Sequence, residues 1–320
     1  LALAIRLHRS GDLDQAQKVY QRILEVAPDE SNALHFLGVL THQRGDTDAA
    51  LALIRRSIEI DPSMPDRYSN RGTVLAELGK LDEAAAAYRE AIARAPTESQ
   101  AHANAWNNLG AVLRTQENFT EAAQAYEKAI ELNPEHADAY NNYGNLLSIQ
   151  GRVSEAVACY CTALTVSPKH AQSRKLLGLA YYTLGKIDQA AAVYREWLVD
   201  DPANPVAEHM LAACSGENVP TRASDAYVAA TFDAFAESFD AKLERLSYRA
   251  PQLVADALAA ASGPAAENLD GLDAGCGTGL CGPLIRPWMR YLTGIDLSSG
   301  MLSAARNRGS YDELVQHELT

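Results

Sequence analysis

The chain has 320 residues, more than one domain usually holds, and the 47% of apolar residues are enough for buried cores. Its net charge of −13 repels phosphates, so we expect no nucleic-acid partner. Since no run of roughly 18 apolar residues occurs, we expect no membrane span. The five cysteines lack metal-ligand spacing and are odd in number, which favours no metal site and a cytoplasmic, reducing location.

Four residue types recur along the first two thirds of the chain at steps of 34, with a single step of 38. The prolines are Pro28, Pro62, Pro96, Pro134, Pro168 and Pro202, and the glycines are Gly38, Gly72, Gly110, Gly144 and Gly178. The alanines are Ala16, Ala50, Ala84, Ala122, Ala156 and Ala190, and the large residues are Tyr20, Ile54, Tyr88, Tyr126, Tyr160 and Tyr194. Four columns with one period indicate a repeat architecture. The four-residue excess lies in Thr97–His102, at a junction between repeats.

Each repeat is predicted to be a helix–turn–helix unit. The glycines of the column allow helix A and helix B to approach closely, the alanines lie where the helices cross, and each proline ends helix B. A second set of glycines suits a left-handed turn between the helices: Gly11, Gly45, Gly79, Gly151 and Gly185. In the fourth unit Glu117 replaces this glycine, and Asn118 is expected to serve near that point. Stacked units bury the apolar faces that one unit alone cannot.

The segment Trp106-Asn107-Asn108-Leu109-Gly110, followed by Ala122, Tyr126, Ala129 and Pro134, resembles the tetratricopeptide repeat (TPR). The resemblance implies an all-α right-handed superhelix with a concave groove that binds a protein or peptide. Full repeats are predicted near 31–64, 65–98, 103–136, 137–170 and 171–204, after a partial first repeat and before a capping helix at 205–214. The array thus spans 1–214, residues 215–225 form a linker, and 226–320 belong to a second domain.

In this family the sixth position of helix A faces the groove, and here three successive repeats carry Asn70, Asn108 and Asn142 there. Asparagine offers both donors and acceptors to an extended peptide backbone, as in the asparagine ladder of O-linked N-acetylglucosamine transferase-type repeats. The alternative is that these are ordinary solvated polar residues. Phe36 and Leu176 at the matching positions of the flanking repeats weaken the ladder interpretation.

Beyond the linker come Tyr227, Phe232, Phe235 and Phe239, and the three phenylalanines are three and four residues apart. This spacing predicts a helix with one aromatic face, and core packing is the simplest account for most of these rings. The segment Leu269–Gly279 then carries Asp273 and glycines at alternate positions, which predicts a strand, a tight turn and a helix whose N-terminus attracts anions. A second strand, Tyr291–Asp296, ends in a carboxylate 19 residues past Gly277, where a ribose is commonly held.

Two families of α/β domain fit this second region. Gly277-Thr-Gly-Leu-Cys-Gly282 matches the dinucleotide pattern G-x-G-x-x-G of NAD-binding Rossmann enzymes. The frame Asp273-x-Gly275-x-Gly277-x-Gly279 resembles motif I of class I S-adenosylmethionine (SAM)-dependent methyltransferases, and it also accounts for Asp273. Ile295-Asp296-Leu297-Ser298 with Met301 resembles that family's second motif, so we favour a Rossmann-like methyltransferase domain with SAM as cofactor.

The resemblance implies a set of cofactor-binding residues: Asp273, Ala274, Gly275, Cys276, Gly277, Thr278, Gly279, Asp296, Leu297, Met301, Glu318, Arg249 and Tyr248. The glycines would line the methionine part of SAM, and Asp273 would organise the loop or reach the amino group through water. Asp296 would hold the ribose, and Leu297 would flank the adenine. Three of these residues also have a purely structural interpretation. Met301 could belong to the core, and Arg249 could be an ordinary surface residue. Glu318 could be solvated at the end of a third strand, predicted at Glu313–Leu319.

The second domain is expected to be incomplete at its C-terminus, because the family's sheet needs about four strands beyond the third. No acceptor-side catalytic residue is therefore assigned. The first residues, Leu1-Ala2-Leu3-Ala4, already suit a helix and include no initiator Met, so we expect a fragment of a longer protein. The predicted function is a methyltransferase whose repeats recruit a protein or peptide. The alternative from another class is a TPR adaptor with a degenerate cofactor domain.

Overall fold

The computed structural model describes residues 1–96 and 99–318, which divide into two compact units, Leu1–Lys186 and Ile187–Thr320. The first unit is entirely helical over its described residues. In each helix pair the first helix is helix A and the second is helix B. The A helices are α1 (Ala2–Arg9), α3 (Ser31–Gln43), α5 (Pro65–Glu77), α7 (Gln100–Thr115), α9 (Ala137–Ile149) and α11 (Ala171–Thr183). The B helices are α2 (Leu13–Val26), α4 (Thr47–Ile60), α6 (Leu81–Arg94), α8 (Phe119–Leu132) and α10 (Val153–Val166). The predicted helix–turn–helix repeats are confirmed.

The helix ends follow from short-range chemistry. Asp46, before α4, accepts a hydrogen bond from the backbone N–H of Ala49 at 3.1 Å, which satisfies one of the donors that a helix N-terminus leaves unpaired. Each B helix ends two residues before a proline of the periodic column, as α4 does at Ile60 ahead of Pro62. Proline has no N–H to continue the helix, and its ring disfavours helical geometry in the preceding residue.

The turns between A and B helices take the left-handed conformation that their glycines predict, with φ of +83° at Gly11 and +86° at Gly45. The fourth unit corrects one expectation. Glu117 itself adopts the left-handed conformation, with φ of +62°. Asn118 instead caps α8, its side chain accepting a hydrogen bond from the N–H of Glu121. The turn geometry is thus set by the stacking of the helices and imposed even where glycine is missing.

The periodic glycines of the A helices pack against the periodic tyrosines of the B helices. A Cβ added at Gly110 would lie 2.7 Å from Cε1 of Tyr126, and one at Gly144 would lie 2.7 Å from Cε1 of Tyr160. Both distances are far inside van der Waals contact, so any side chain at these positions would displace a buried ring. Tyr126 and Tyr160 are 0% and 1% exposed. The predicted close approach of the two helices is therefore confirmed, and a ring fills the space that the missing side chain leaves.

The four-residue excess lengthens a helix. The helix α7 has 16 residues, whereas α5 and α9 have 13 each, and its additional residues lie at its N-terminus. Ser99 caps it by accepting a hydrogen bond from the N–H of His102 at 3.2 Å. Thr97, the first residue of the predicted excess, lies outside the described residues. The excess thus adds nearly one turn to a helix of the third full repeat.

The second unit begins with two more helices of the repeat pattern and continues into an α/β region. Its helices are α12 (Ile187–Asp200), α13 (Pro205–Ser215), α14 (Asp225–Asp233), α15 (Ala236–Arg245), α16 (Ala250–Ser262), α17 (Gly282–Ile285) and α18 (Ser299–Arg308). Its strands are β1 (Leu269–Ala274), β2 (Met289–Asp296) and β3 (Glu313–Gln316). The helix α13 lies where the capping helix is predicted. The contact pattern groups it with the second unit, and the domain boundaries at 214 and 226 stay a prediction.

The three strands form one parallel sheet in the order β1-β2-β3. The register places Asp273 opposite Gly294 and Asp296 opposite Gln316, so the carboxyl ends of the strands meet at one edge. A small core of Ala255, Ile285, Met289 and Leu292 packs beside the sheet. The first strand lies within the predicted segment Leu269–Gly279, and the second begins two residues earlier than predicted. The third ends at Gln316, while Leu319 of its predicted range lies outside the described residues.

The aromatic segment ahead of the sheet differs from its prediction. The helix breaks at Ala234 and Phe235, which separates α14 from α15. Phe232 and Phe235 are 41% and 40% exposed, so core packing is the wrong account for these two rings. Phe232 contacts Phe239 edge to face, with ring centroids 6.3 Å apart. A spacing of three and four residues cannot reveal such a break, because both short helices keep the same period.

Candidate functional site

A pocket of about 400 Å³ lies at the carboxyl ends of β1 and β2. Six residues predicted to bind a cofactor line it: Gly275, Gly277, Asp296, Leu297, Met301 and Glu318. Six further residues that the sequence analysis missed also line it: Arg222, Asp225, Val228, Phe232, Ser298 and His317. The volume is within the range of small-molecule sites, and the crevice beyond the carboxyl ends of parallel strands is where such sites usually lie.

The glycine loop at the floor of this pocket requires its glycines. Gly275, Gly277 and Gly279 have φ of +77°, +55° and +82°, a region that other residues rarely adopt. The N–H groups of Gly275 and Cys276 both donate to the carbonyl oxygen of Ile295, at 2.8 and 2.9 Å, which fixes the loop to the end of β2. The space at Gly277 is open, since an added Cβ would meet nothing nearer than Phe239 at 3.9 Å. A ligand can therefore approach the backbone at this position.

Asp296 joins the loop to the next helix. Its Oδ2 accepts a hydrogen bond from the N–H of Gly277 at 2.8 Å, and its Oδ1 accepts one from the N–H of Ser298 at 2.9 Å. A carboxylate has about four acceptor positions, so roughly two remain for a ligand. The carboxylate thus points towards the glycine loop and borders the pocket, the arrangement that a ribose-binding role requires.

The N-terminus of α18 is closed by two side chains. The Ser298 hydroxyl accepts a hydrogen bond from the N–H of Met301 at 3.1 Å, which caps the helix. The same hydroxyl donates to Asp233 of α14, and the N–H of Gly300 donates to that carboxylate at 2.8 Å. These hydrogen bonds, led by the one from Ser298, hold the pKa of Asp233 below its ordinary value of 3.8. An ionised Asp233 therefore ties α14 to the pocket rim.

Asp273 does not line the pocket. It accepts a hydrogen bond from the Tyr311 hydroxyl at 2.7 Å, and burial together with this bond raises the pKa of Tyr311. The Tyr311 ring lies against three glycines, since an added Cβ would lie 3.0 Å from it at Gly279, 2.8 Å at Gly282 and 2.9 Å at Gly294. Asp273 and Gly282 thus hold this ring, and the sequence analysis missed Tyr311 because its partners are far away along the chain.

The remaining loop residues predicted to bind the cofactor do not line the pocket with their side chains. Ala274 is exposed, while Cys276 and Thr278 are buried. Burial, with the charges of Asp273 and Asp296 adding to it, raises the pKa of Cys276 to about 12, so its thiol stays protonated and unreactive near neutral pH. The Thr278 hydroxyl donates to Asp240 of α15. None of these three side chains lines the pocket.

Tyr248 and Arg249 lie away from the pocket. Both are exposed, and Arg249 stands at the N-terminus of α16 without a capping hydrogen bond from its side chain. The guanidinium that does border the pocket belongs to Arg222, which pairs with Glu318 and, at 3.1 Å, with Asp225. Arg222 lies in the aperiodic segment between α13 and α14, where no sequence pattern singles out one side chain.

The helix after the glycine loop is short. The helix α17 spans only Gly282–Ile285 and gives way to a 3-10 turn at Arg286–Trp288. Pro283 at its first positions and Pro287 shortly after limit its length. One turn aligns few peptide dipoles, so the anion attraction expected at this helix N-terminus is weak.

A second pocket, of about 370 Å³, lies in the first unit among α3, α5 and α7. Asn70 and Asn108 line it as predicted, and Asn142 does not. Each of these amides also bonds to another side chain of the A helices. The Nδ2 of Asn70 donates to Nε2 of His35 at 2.8 Å, and that of Asn142 donates to Oδ1 of Asn107 at 3.0 Å. The amides therefore connect adjacent repeats, and part of their hydrogen-bonding capacity is already used.

His35, which lines this pocket, should make the folding stability depend on pH. Burial, aided by the nearby charge of Arg67, lowers the pKa of His35 from 6.5 to about 4, so it is neutral in the folded chain. In the unfolded chain it binds a proton below about pH 6.5, and folding stability is therefore lost as the pH falls through the folded pKa. The loss should reach roughly 3 kcal/mol by about pH 4. Urea unfolding of the wild type and His35→Gln at neutral and acidic pH measures it.

The glutamine variant keeps an acceptor for Asn70 and removes the titrating ring, so its stability should fall less over the same pH range. Parallel pH dependence in the two proteins would contradict this assignment. Other titrating groups contribute equally to both proteins and cancel in the comparison.

Two family profiles described as tetratricopeptide repeat match the chain. One matches residues 67–135 and 101–169, and the other matches residues 1–65 and 144–205. The chain belongs to the tetratricopeptide repeat family. Tetratricopeptide repeats generally bind protein or peptide partners. No helix in the described part of this TPR protein is long and apolar enough to cross a membrane.

Solved structures of low sequence identity share the fold of the repeat region. The type IV pilus biogenesis factor PilW is 19% identical with a TM-score of 0.60, covering 66% of this chain and 96% of its own. The protein pilF of Pseudomonas aeruginosa is 20% identical with a TM-score of 0.57, covering 66% and 95%. At these identities the likeness shows the fold alone.

One curated relative has a name that refers to a methyltransferase and not to a repeat. Methyltransferase-like protein 27 of Homo sapiens is 41% identical over 85 residues, which make up 26% of this chain and 34% of the relative. The chain thus spans about a third of the length of this relative. Within residues 1–96 and 99–318, no group of three or more histidine, cysteine or acidic side chains is placed to hold a metal ion.

Proposed function

We propose that the pocket of the second unit binds S-adenosylmethionine and that the chain belongs to a methyltransferase whose repeats recruit a protein or peptide. The observation that carries the proposal is Asp296, which borders the pocket while accepting a hydrogen bond from Gly277 of the glycine loop. A ribose has two adjacent hydroxyls, and a carboxylate beside an open backbone loop suits them. The name of the human relative, which matches 85 residues of this chain, agrees with this proposal.

The residues present fit the cofactor. Asp296 would accept the ribose hydroxyls, and the open backbone at Gly277 would lie along the methionine part. Leu297 and Met301 would provide apolar contact for the adenine, and Glu318 is an acceptor for its amine. Bound SAM supplies a methyl group already activated by its sulfonium, so the protein mainly aligns the reactants and excludes water. The methyl acceptor and the residue that contacts it are not assigned.

The short helix α17 disfavours the NAD-binding alternative. A dinucleotide places its pyrophosphate at the N-terminus of the helix that follows the glycine loop, and α17 has only four residues. The third glycine of the dinucleotide pattern, Gly282, is required for a different reason: it lies against the Tyr311 ring, which leaves no room for a side chain. SAM carries no phosphate and needs no such helix.

Calorimetric titration of the chain with SAM and, separately, with NAD tests the proposal. Saturable binding of SAM alone is the expected result. Binding of NAD alone would support the dinucleotide alternative. Absence of binding by either would leave a TPR adaptor with a degenerate cofactor domain, which the repeat region supports equally well. The cytoplasmic location expected from the cysteines is part of the proposal and stays a prediction.

The groove of the first unit is proposed to bind an extended peptide through Asn70, Asn108 and Asn142. Replacing Asn108 and Asn142 together with alanine should weaken binding of a peptide selected by display against the wild-type chain by about tenfold. Each lost neutral hydrogen bond contributes about 0.5–1.5 kcal/mol to peptide binding. Both positions are half-buried, but both amides bond to the buried Asn107, so the melting temperature should also fall, by less in free energy than the loss of binding. Fluorescence anisotropy with the labelled peptide measures the affinity.

The matched control is Gln124→Ala, which removes an exposed amide on the B helix α8. It should leave both affinity and stability unchanged. A large fall in melting temperature for the double variant, equal in free energy to its loss of binding, would assign the two asparagines to the scaffold. Their hydrogen bonds to neighbouring side chains make this comparison necessary.

A further inference from the structure

The helix α14 forms one wall of the pocket. Val228 and Phe232 lie one turn apart on the same face and both line it, and Asp225 lines it at the first turn. At its other end, Asp233 holds the N-terminus of α18 through Ser298 and Gly300. Any shift of α14 therefore moves the wall and the rim of the pocket together.

This helix depends on its contacts with neighbouring elements. It has nine residues and none of them is buried. A helix of this length is marginal without tertiary contacts, because nucleation costs more than so few hydrogen bonds return. It packs between α13 and α18, and its C-terminal end also meets α15 through Phe232 and Phe239.

The contact with α13 centres on an aromatic stack. The rings of His209 on α13 and Tyr227 on α14 lie with centroids 3.8 Å apart and planes at 12°. Both side chains are half-buried, and neither lines the pocket at the strand ends. Stacked rings at this distance attract each other beyond the area they bury.

We infer that His209 and Tyr227 are positioning residues for the pocket: their stack fixes α14, and α14 fixes the pocket wall. The cofactor site is thus mounted on α13, which packs on α12, and α12 lies within the residues matched by the tetratricopeptide repeat. The inference rests on the proposed function for the identity of the ligand. Its structural content, a pocket wall held by the end of the repeat region, does not depend on that identity.

The test uses the full chain and three variants: Tyr227→Ala, His209→Ala and Tyr227→Phe. Calorimetric titration with SAM should show affinity about three- to tenfold weaker for either alanine variant, as expected for loss of a stacked pair. The phenylalanine variant should bind like the wild type, because it keeps the ring and loses only the hydroxyl. The double alanine variant should be no worse than either single one. A control, Tyr182→Ala, removes an exposed tyrosine of α11 and should leave SAM affinity unchanged.

Hydrogen exchange gives a second measurement that needs no ligand. The Gly300 N–H bonds to Asp233, so loosening α14 should speed its exchange in both alanine variants and not in Tyr227→Phe. Wild-type affinity and unchanged Gly300 exchange in the alanine variants would overturn the inference. Failure of the wild type to bind SAM would overturn the proposed function instead, and the exchange data would still decide the role of the stack.

Discussion

Asp296→Ala is expected to abolish measurable SAM binding, with affinity reduced by more than about a hundredfold. The variant removes the acceptors proposed for the ribose hydroxyls, and each hydrogen bond to a charged group contributes about 1.5–3 kcal/mol. It also leaves the N–H groups of Gly277 and Ser298 without their carboxylate partner, which loosens the loop. Calorimetric titration of wild type and variant under identical conditions measures the effect.

The matched control is Asp270→Ala, which removes a carboxylate from β1, away from its carboxyl end. Asp270 is exposed and pairs with Arg290, and an exposed ion pair of this kind contributes little. This variant should bind SAM like the wild type. Equal loss of binding in both variants would point to damage to the sheet as a whole, and undiminished binding in Asp296→Ala would remove the basis of the proposed function.

Tyr126→Ala is expected to lower the free energy of unfolding of the repeat region by about 3–5 kcal/mol, as for other large aromatic side chains deleted from cores. Tyr126 is 0% exposed and belongs to the main core cluster with Ala122, Leu109 and Leu113. Its ring packs against the neighbouring helices, so the cavity left by the alanine substitution cannot close unless those helices move. Urea unfolding followed by circular dichroism measures the loss.

Gly110→Ala should have opposite effects in the two backgrounds. In the wild type the new Cβ would lie 2.7 Å from the Tyr126 ring, so the substitution should destabilise by about 1–3 kcal/mol. With Tyr126 already replaced by alanine the clash is gone, and alanine is about 1 kcal/mol better than glycine in a helix. The same substitution should therefore stabilise the variant. Additive effects in the double variant would contradict the proposed glycine–tyrosine contact.

The repeat region is predictable because its information is periodic and local. Proline, glycine, alanine and tyrosine recur at one step, and each type has a physical role that its neighbours require. Glu117 is the exception, since no rule predicts that a glutamate rather than the following asparagine takes the left-handed conformation. The lateral bonds of Asn70 and Asn142 were also unpredictable, because they depend on how far one repeat is rotated against the next.

The pocket is predictable only where it is built from contiguous chain. The glycine loop and Asp296 each follow a strand within a short motif, and the structure brings them together. Arg222 and Phe232 reach the same pocket from the segment and helix ahead of the sheet, where the aromatic spacing predicts a helix but does not show which side chains line the pocket. Arg249 does not line this pocket and Arg222 does, because any arginine near the domain start satisfies the pattern and only the fold shows which one reaches the pocket.

The left-handed glutamate at the turn between α7 and α8 has a consequence for how the array comes apart. A side chain in that conformation costs roughly 1–2 kcal/mol that glycine avoids. In a linear stack each helix pair is supported only by the pairs on either side, so a local penalty is not shared across the molecule. The middle of the array therefore contains a turn that is less stable than a glycine would make it, and the repeats on either side must supply the difference.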